Sequence, residues 1–392
     1  FIDAKNLVHN QLRKSVQQQL ISDAPLGAFL SGGIDSSLIV SLMKEFDQKT
    51  KTFTIGFENK NYDESLYSKN IANYLDTDHK NYIFSNNEII NFIKNIPKAY
   101  SEPFADSSQL PTLLVSKIAR ENVKVVLTGD GGDELFGGYN RYIYASKFWK
   151  YLKLLNPNLR NKLIHILLNY SPNLFIIILN KLFNFKINKN SLYKIKNKLK
   201  NIDSEFSYYE SLTKEWSEND NIINHSINEN VNSEISNIFN NSNISFEEKM
   251  MVADFNTYLT DDILCKVDRA TMHYSLESRA PFLNKNLINL AFNLPSNFKI
   301  KNGNSKIILK SILNDYMPKH LIDRPKMGFG IPIGDLLKKE LKFWTTDILS
   351  NKNCNDHGLF NYDVISKTLN NHFSGQENNQ FKIWSLVQFN LW

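Results

Sequence analysis

Short β-rich runs alternate with helical patterns near the start of this chain, and this alternation is the feature that most limits its fold. It is typical of a parallel sheet with helices on both faces. Ligands of such a sheet bind beyond the carboxyl ends of its strands, so we expect functional residues directly after the strands. The predicted strands span residues 26–30, 52–57, 81–84 and 123–128. The predicted helices between them span residues 36–45, 63–75, 87–96 and 107–121.

The rest of the chain lacks this alternation and is predicted to be mainly helical. At 392 residues the chain exceeds the roughly 250–300 residues at which a single core stops growing. We therefore expect an α/β core over residues 1–142, a basic, mainly helical insertion over 143–245 and a helical C-terminal part over 246–392. The opening residues are predicted to form an amphipathic helix with one apolar face, made of Leu7, Leu12, Val16 and Leu20.

The formal net charge of +6 is concentrated in one basic stretch. Residues 141–202 contain 13 Lys or Arg residues and no Asp or Glu. A stretch of this kind can bind RNA or another anionic surface. Leucines recur within it at helical spacing, however, which favours a helix with a buried stripe and a solvated basic face. Nucleic acid is therefore not the expected partner.

The composition argues against several other classes of protein. The two cysteines, Cys265 and Cys354, lie far apart and lack metal-ligand spacing, which argues against a disulfide framework and a structural zinc site. The longest apolar runs fall far short of the roughly 20 residues that cross a bilayer. We expect a cytoplasmic protein that does not associate with membranes.

The first predicted strand ends in the glycine-rich turn S-G-G-I-D-S, residues 31–36, which opens a predicted helix. Glycines let the backbone approach a ligand closely, and free N–H groups at a helix start point at negative charge. Phosphate is the expected ligand. Asp35 would repel a phosphate unless a divalent cation lay between them, so the turn predicts a nucleotide bound with Mg²⁺.

A second turn of the same character, T-G-D-G-G-D-E at residues 128–134, follows the fourth predicted strand. Its acids Asp130, Asp133 and Glu134 repel one another and raise each other's pKa values unless a metal or a base neutralises them. Two acidic glycine turns at neighbouring strand ends are best explained by one bound Mg-nucleotide. We expect Asp35 and Asp133 to hold its metal and pyrophosphate.

Neither turn is a Walker A loop, which needs a lysine at a fixed place. The first resembles the pyrophosphate loop of the ATP-pyrophosphatase superfamily, which implies an adenine nucleotide alpha-hydrolase-like fold. The chain as a whole resembles the synthetase domain of the asparagine synthetase B family of class II glutamine amidotransferases. Four blocks carry this resemblance: S-G-G-I-D-S, T-G-D-G-G-D-E-L-F-G-G-Y, DRATMHYSLESRAPFLN at 268–284 and RPKMGFGIP at 324–332.

The resemblance implies an enzyme that uses ATP and Mg²⁺ to adenylate a carboxylate and then amidates it with ammonia. It implies that Ile55, Thr128 and Gly129 contact adenosine and that Lys326 reaches the adenylate and stabilises charge in the later steps. It also implies a set of residues that bind ATP at its pyrophosphate, namely Leu30, Ser31, Gly32, Gly33, Asp35, Ser36 and Ser37.

One position departs from the family's pattern. Asparagine synthetases commonly carry a glutamate, thought to remove a proton from ammonia, where this chain has Asp130. Aspartate retracts the carboxylate by one methylene, which can move a base beyond the roughly 2.6–3.2 Å that proton transfer needs. The D-G-G-D-E form resembles a branch found in surface-polysaccharide gene sets, whose acceptor is a sugar uronate. We expect aspartate to be the acceptor, with a uronate as the alternative acceptor. Two other functions remain as alternatives: a tRNA-modifying enzyme and a non-catalytic nucleotide-binding scaffold.

Family members usually make ammonia in an N-terminal glutaminase domain whose nucleophile is its first cysteine. This sequence begins with Phe1, and neither cysteine stands at the amino terminus. We interpret the chain as the synthetase part of a longer protein and expect its ammonia to come from a glutaminase domain. A homodimer is a further expectation.

Several polar residues between the motifs have structural interpretations. Asp262 and Lys266, four residues apart on a predicted helix, can form an ion pair. Asp106 or Ser107 is the predicted N-cap of the helix over 107–121, and residues 101–112 could also line the acceptor pocket. His273 is expected to be packed or hydrogen-bonded rather than to act as a base.

Overall fold

The computed structural model describes residues 1–59, 62–170, 177, 198–199, 202–217, 220–224, 233–323, 330–355 and 358–392. The chain divides into two compact units. The first unit comprises Phe1–Tyr139 and Met251–Pro332, and the second comprises Asn140–Met250 and Ile333–Trp392. Both cysteines are free, and no described helix is long and apolar enough to span a membrane.

The first unit is built on a parallel five-stranded sheet with the strand order β3-β2-β1-β4-β5. The four predicted strands are confirmed, with ends shifted by up to three residues. Ala28 in β1 lies opposite both Thr52 in β2 and Leu127 in β4, so β1 and β4 end at the same edge of the sheet. The strands are β1 (Leu26–Phe29), β2 (Lys51–Phe57), β3 (Asp78–Phe84), β4 (Val125–Leu127) and β5 (Glu277–Arg279).

The fifth strand was not predicted, because β5 has three polar residues and no apolar run. Backbone hydrogen bonds hold it beside β4: Glu277 N–H donates to Lys124 O at 2.9 Å and Thr128 N–H to Arg279 O at 2.8 Å. The Arg279 guanidinium donates to the carbonyls of Gln19 (2.6 Å) and Ile21 (2.8 Å) at the end of the first helix. Long-range contacts therefore form this strand.

The four predicted helices between the strands are present, each within three residues of the predicted ends. The early helices are α1 (Ile2–Gln19), α2 (Ile34–Lys44), α3 (Ser65–Tyr74), α4 (Asn86–Ile93), α5 (Gln109–Arg120) and α6 (Gly132–Phe136). The later helices of this unit are the end of Phe246–Asn256, a π-helix at Tyr258–Leu264, Cys265–His273, Lys285–Asn293, Ser296–Lys299, Ile307–Leu313 and Lys319–Ile322, with 3₁₀ turns at Ile96–Lys98 and Pro281–Leu283.

The buried face of α1 differs from the predicted one. Leu12 and Val16 are fully buried, but Leu7 is 57% exposed and Val8 takes its place in the core. Positions 8, 12 and 16 recur every four residues along one face, whereas position 7 lies about 100° away from position 8 around the helix. This face packs in the same core as Leu38 of α2.

The second unit is helical in its described part. An aromatic cluster of Trp149, Tyr208 and Phe246 forms part of its core, with ring centroids 5.9–6.1 Å apart. Arg160 is buried against Trp149 and donates to the carbonyl of Ile202. Much of the basic stretch at 141–202 lies outside the described residues. The helices are Asn140–Leu152, Pro157–Tyr170, Glu205–Thr213, Ser233–Asn240, the start of Phe246–Asn256, Ile333–Lys338, Lys342–Ile348, Asn351–Asn355, Tyr362–Phe373 and Gln380–Leu391.

Candidate active site

The first glycine turn leaves β1 at the carboxyl edge of the sheet. Leu30 is 1% exposed; its N–H donates to Phe53 O at 2.9 Å and its carbonyl accepts from the Thr54 hydroxyl. These two bonds to β2 fix the point at which the chain turns out of the sheet. Ile55, predicted to contact adenosine, is 3% exposed on β2.

The turn itself is ordered by its serines. Ser31 Oγ accepts from Gly33 N–H at 3.3 Å and lies 3.1 Å from Ser36 Oγ. Gly32 has φ +74°, and Gly33 is the N-cap of α2 but provides no side-chain cap for it. The first N–H groups of α2 therefore lack a capping side chain, as at helix starts that bind anions. Ser37 is fully buried behind the turn.

The second glycine turn leaves β4 and contacts the first. A Cβ placed on Gly129 would lie 2.9 Å from Asp35 Cβ and 3.0 Å from Ser36 N, closer than real side chains pack. Only glycine at this position lets the two turns meet. Thr128 is buried directly before Gly129, and α6 begins three residues after it.

Asp35 and Asp133, one from each turn, converge on a single cation, the ammonium of Lys306. Lys306 Nζ lies 2.6 Å from Asp133 Oδ1 and also forms an ion pair with Asp35. The lysine side chain is 5% exposed, and the two acids are 16% and 21% exposed. Burial alone would lower the pKa of Lys306, but Asp133 and Asp35 hold it above its usual value. Lys306 was not predicted from the sequence, because it lies 173 and 271 residues from its partners.

Asp130 lies in the second turn, and burial raises the pKa of its carboxyl. The positive charge of Lys266 opposes this shift and lowers the pKa, while the negative charge of Asp133 raises it further. A carboxyl whose pKa is raised suits proton transfer better than an ordinary surface aspartate.

Lys266, whose positive charge acts on Asp130, is held in place by two other acids. Its Nζ lies 2.6 Å from Asp106 Oδ2 and 3.9 Å from Asp262 Oδ1, so the predicted pair with Asp262 is the longer of the two contacts. Asp106 also accepts from the N–H (2.8 Å) and the hydroxyl (2.7 Å) of Ser108. The predicted N-cap was wrong: Ser108 is the N-cap of α5, and Asp106 forms a turn before it because its carboxylate already binds Ser108 and Lys266.

Glu134 is the third acid of the second turn and is 1% exposed. Its carboxylate accepts from the Tyr139 hydroxyl at 2.5 Å. Burial first, and Asp133 next, raise its pKa to about 7. Glu134 therefore faces the protein interior beside the Asp35–Asp133 pair.

Lys326 lies outside the described residues. His273 is exposed and packs edge-on against Tyr274.

The donor set fits Mg²⁺ bound together with phosphates. Two carboxylates already converge on one cation, and carboxylate oxygens are the ligands that Mg²⁺ prefers. The described residues contain no group of three His, Cys, Asp or Glu side chains that could hold a metal. Mg²⁺ is commonly bound through one or two carboxylates plus substrate phosphates, so two acids suffice at a nucleotide site.

Comparison with known proteins shows the family of the chain. The family model for asparagine synthase matches residues 7–392. The chain belongs to the asparagine synthase family. It is 31% identical to asparagine synthetase [glutamine-hydrolyzing] 1 of Bacillus subtilis over 98% of this chain and 58% of the relative. It is 28% identical to a putative asparagine synthetase of Mycobacterium bovis over 97% of this chain and 56% of the relative.

A shorter match has a higher identity. The chain is 42% identical to putative asparagine synthetase 2 of Methanocaldococcus jannaschii over 168 residues, which are 40% of this chain and 32% of that protein. Over the longer alignments, the chain spans little more than half the length of its curated relatives.

Proposed function

We propose that this chain of the asparagine synthase family is an ATP-dependent synthetase that joins ammonia to a carboxylate. Aspartate is the favoured acceptor. The carboxylate attacks the α-phosphate of ATP, which forms an acyl-AMP and releases pyrophosphate. Ammonia then attacks the acyl carbonyl, which forms the amide and releases AMP. One observation carries the proposal: two glycine turns at adjacent strand ends direct Asp35 and Asp133 to one cation.

The first turn is the proposed pyrophosphate cradle. The uncapped N–H groups of α2 and the hydroxyls of Ser31 and Ser36 provide donors for phosphate oxygens. Ile55, Thr128 and Gly129 are the proposed contacts for adenosine. Asp35 and Asp133 would hold Mg²⁺, which when bound would neutralise charge on the phosphates and the departing pyrophosphate.

Asp130 is the proposed base for the ammonia step. Its raised pKa, with Lys266 opposing the effect of burial, supports this role. Lys326 is the proposed partner of the adenylate on the strength of the RPKMGFGIP motif alone. The ammonia is proposed to come from glutamine, as the names of the relatives indicate for those proteins.

The test is pyrophosphate release from ATP with Mg²⁺ and ammonium, measured against aspartate, glutamate and a panel of uronic acids. Turnover with aspartate, and asparagine as the product, is the expected result. Turnover with a uronate alone would assign the chain to sugar amidation instead. Bound ATP that no acid converts to AMP would indicate a nucleotide-binding scaffold, and RNA that co-purifies and dissociates with salt would favour a tRNA-modifying enzyme.

A further inference from the structure

The local backbone is shaped around the ammonium of Lys306. Lys306 has φ +54°, a left-handed conformation that is uncommon outside glycine and asparagine, and it stands immediately before the helix Ile307–Leu313. Gly138 lies against the ion pair: a Cβ placed there would overlap Asp133 Oδ1 and Lys306 Cε. The fold thus leaves room for this lysine at the point where the two carboxylates meet.

The ammonium has an electrostatic task in the protein without nucleotide. Two carboxylates directed at one point repel each other, and an unpaired buried charge is strongly destabilising. The ammonium of Lys306 lies against both Asp35 and Asp133 and offsets one of their two negative charges. The repulsion between the two acids is therefore reduced before any metal arrives.

A divalent metal needs the same oxygens that Lys306 occupies. Mg²⁺ gives up its water reluctantly, and two carboxylates are few ligands with which to displace both water and an ion-paired ammonium. Nucleotide phosphates change this balance in two ways. They supply further oxygens to the metal, and they provide negative charge for the ammonium when it leaves the carboxylates.

We propose that Lys306 is the resident cation of the Asp35–Asp133 pair and keeps free divalent metal out of the site until nucleotide phosphates arrive. The inference rests on the proposed function in one respect, namely that the phosphates of ATP bind at these turns. It makes metal binding and nucleotide binding mutually dependent, because each ligand favours the arrangement in which the ammonium has moved. The metal would then enter with the nucleotide and not ahead of it.

The test measures Mn²⁺ binding by electron paramagnetic resonance, with and without α,β-methylene-ATP, which is not split between its α- and β-phosphates. The wild type should bind Mn²⁺ weakly alone and more tightly with the nucleotide. Lys306→Met should bind Mn²⁺ alone more tightly than the wild type, by roughly 5- to 150-fold, the usual range of a coupling between sites. Lys310→Met is the matched control, because Lys310 is half-buried on the same helix and lies near Asp323.

Either of two results would overturn the proposal: wild-type protein that binds α,β-methylene-ATP yet binds Mn²⁺ equally well with and without it, or Lys306→Met with no gain in affinity for Mn²⁺ alone. If Lys306→Met folds poorly, the wild-type comparison and a Lys306→Arg variant, which should still exclude the metal, decide the question. Titration of α,β-methylene-ATP without metal separates the resident-cation role of Lys306 from the proposed ATP-dependent function. If the protein binds no nucleotide but Lys306→Met still binds Mn²⁺ more tightly than the wild type, the resident-cation role is retained and the proposed function is refuted.

Discussion

Two buried lysines in the first unit each contact two acids, but the two clusters are built differently. Lys306 joins Asp35 and Asp133, which come from separate turns after β1 and β4. Lys266 lies 2.6 Å from Asp106 and 3.9 Å from Asp262, its neighbour four residues earlier in the chain. The first cluster is thus closely shared between two acids, and the second is one close pair with a distant third member.

The surroundings of the acids explain what each cluster can do. Asp106 is fixed by two hydrogen bonds from Ser108, so its carboxylate has little freedom to accept another cation. Asp35 and Asp133 are directed at a common point, as ligands of one metal are. The Lys306 cluster is suited to exchange its cation, and the Lys266 cluster to place a fixed charge beside Asp130.

The largest effect on activity is expected from removing either acid of the Lys306 cluster. Asp35→Asn and Asp133→Asn should each lower the rate of pyrophosphate release by roughly 10²- to 10³-fold, the usual loss when one group that stabilises developing charge is removed. Asp315→Asn, which breaks an ion pair with Lys5 at 2.6 Å, is the control and should leave the rate unchanged. Near-wild-type rates in both acid variants would show that neither Asp35 nor Asp133 acts in the reaction.

The largest effect on stability is expected from breaking the fixed cluster. Lys266→Met leaves Asp106 buried without its cation and should lower the free energy of unfolding of the first unit by about 3–5 kcal/mol. Lys266→Met with Asp106→Asn should recover much of this loss, because asparagine still accepts from Ser108 without a charge. Urea unfolding followed by circular dichroism measures both. Equal losses in the single and double variants would mean that the charge of Asp106 is not the cause.

These clusters also show how far the sequence could predict the molecule. The buried strands and the two glycine turns have local signals, and the turns directed attention to Asp35 and Asp133. Lys306 had no such signal, because only the folded chain brings it to its partners. The same holds for β5, whose three polar residues are held by backbone bonds to β4, and for Lys266, whose close partner is 160 residues away.

Glu134 differs from the acids of both clusters because its carboxylate is paired with a hydroxyl and not with a lysine. Its pKa is raised to about 7, so the folded state holds its proton more strongly than the unfolded state, whose pKa is 4.5. This contribution to stability is complete below about pH 4.5 and is lost as the pH rises towards 7. Glu134→Gln cannot ionise and should be more stable than the wild type at pH 8 by at most about 3.5 kcal/mol, at roughly 1.4 kcal/mol per pKa unit.

The measurement for Glu134 is urea unfolding from below pH 4.5 up to pH 8, without metal or nucleotide. Glu88→Gln is a control with the opposite sign, because hydrogen bonds in the Ser85 cap lower the pKa of Glu88. Its variant should lose stability relative to the wild type above pH 4.5 and match it at lower pH. A Glu134→Gln variant that gained nothing between pH 7 and 8 would contradict the raised pKa.

The smallest expected effect concerns the fixed charge beside Asp130. If Asp130 removes a proton from ammonia, the rate of amide formation rises with pH as its carboxylate ionises. Lys266 lowers the pKa of Asp130, so removing the ammonium should move the rising, acidic limb of the pH–rate profile to higher pH without greatly changing the maximal rate.

Lys266→Met with Asp106→Asn is the suitable variant because it removes both charges of the close pair. The pH profile is measured with saturating ATP and ammonium, and Lys310→Met should leave the limb in place. A limb that does not move in the double variant, yet disappears in Asp130→Asn, would mean that Asp130 is the base and that Lys266 is too far away or too well neutralised by Asp262 to influence it.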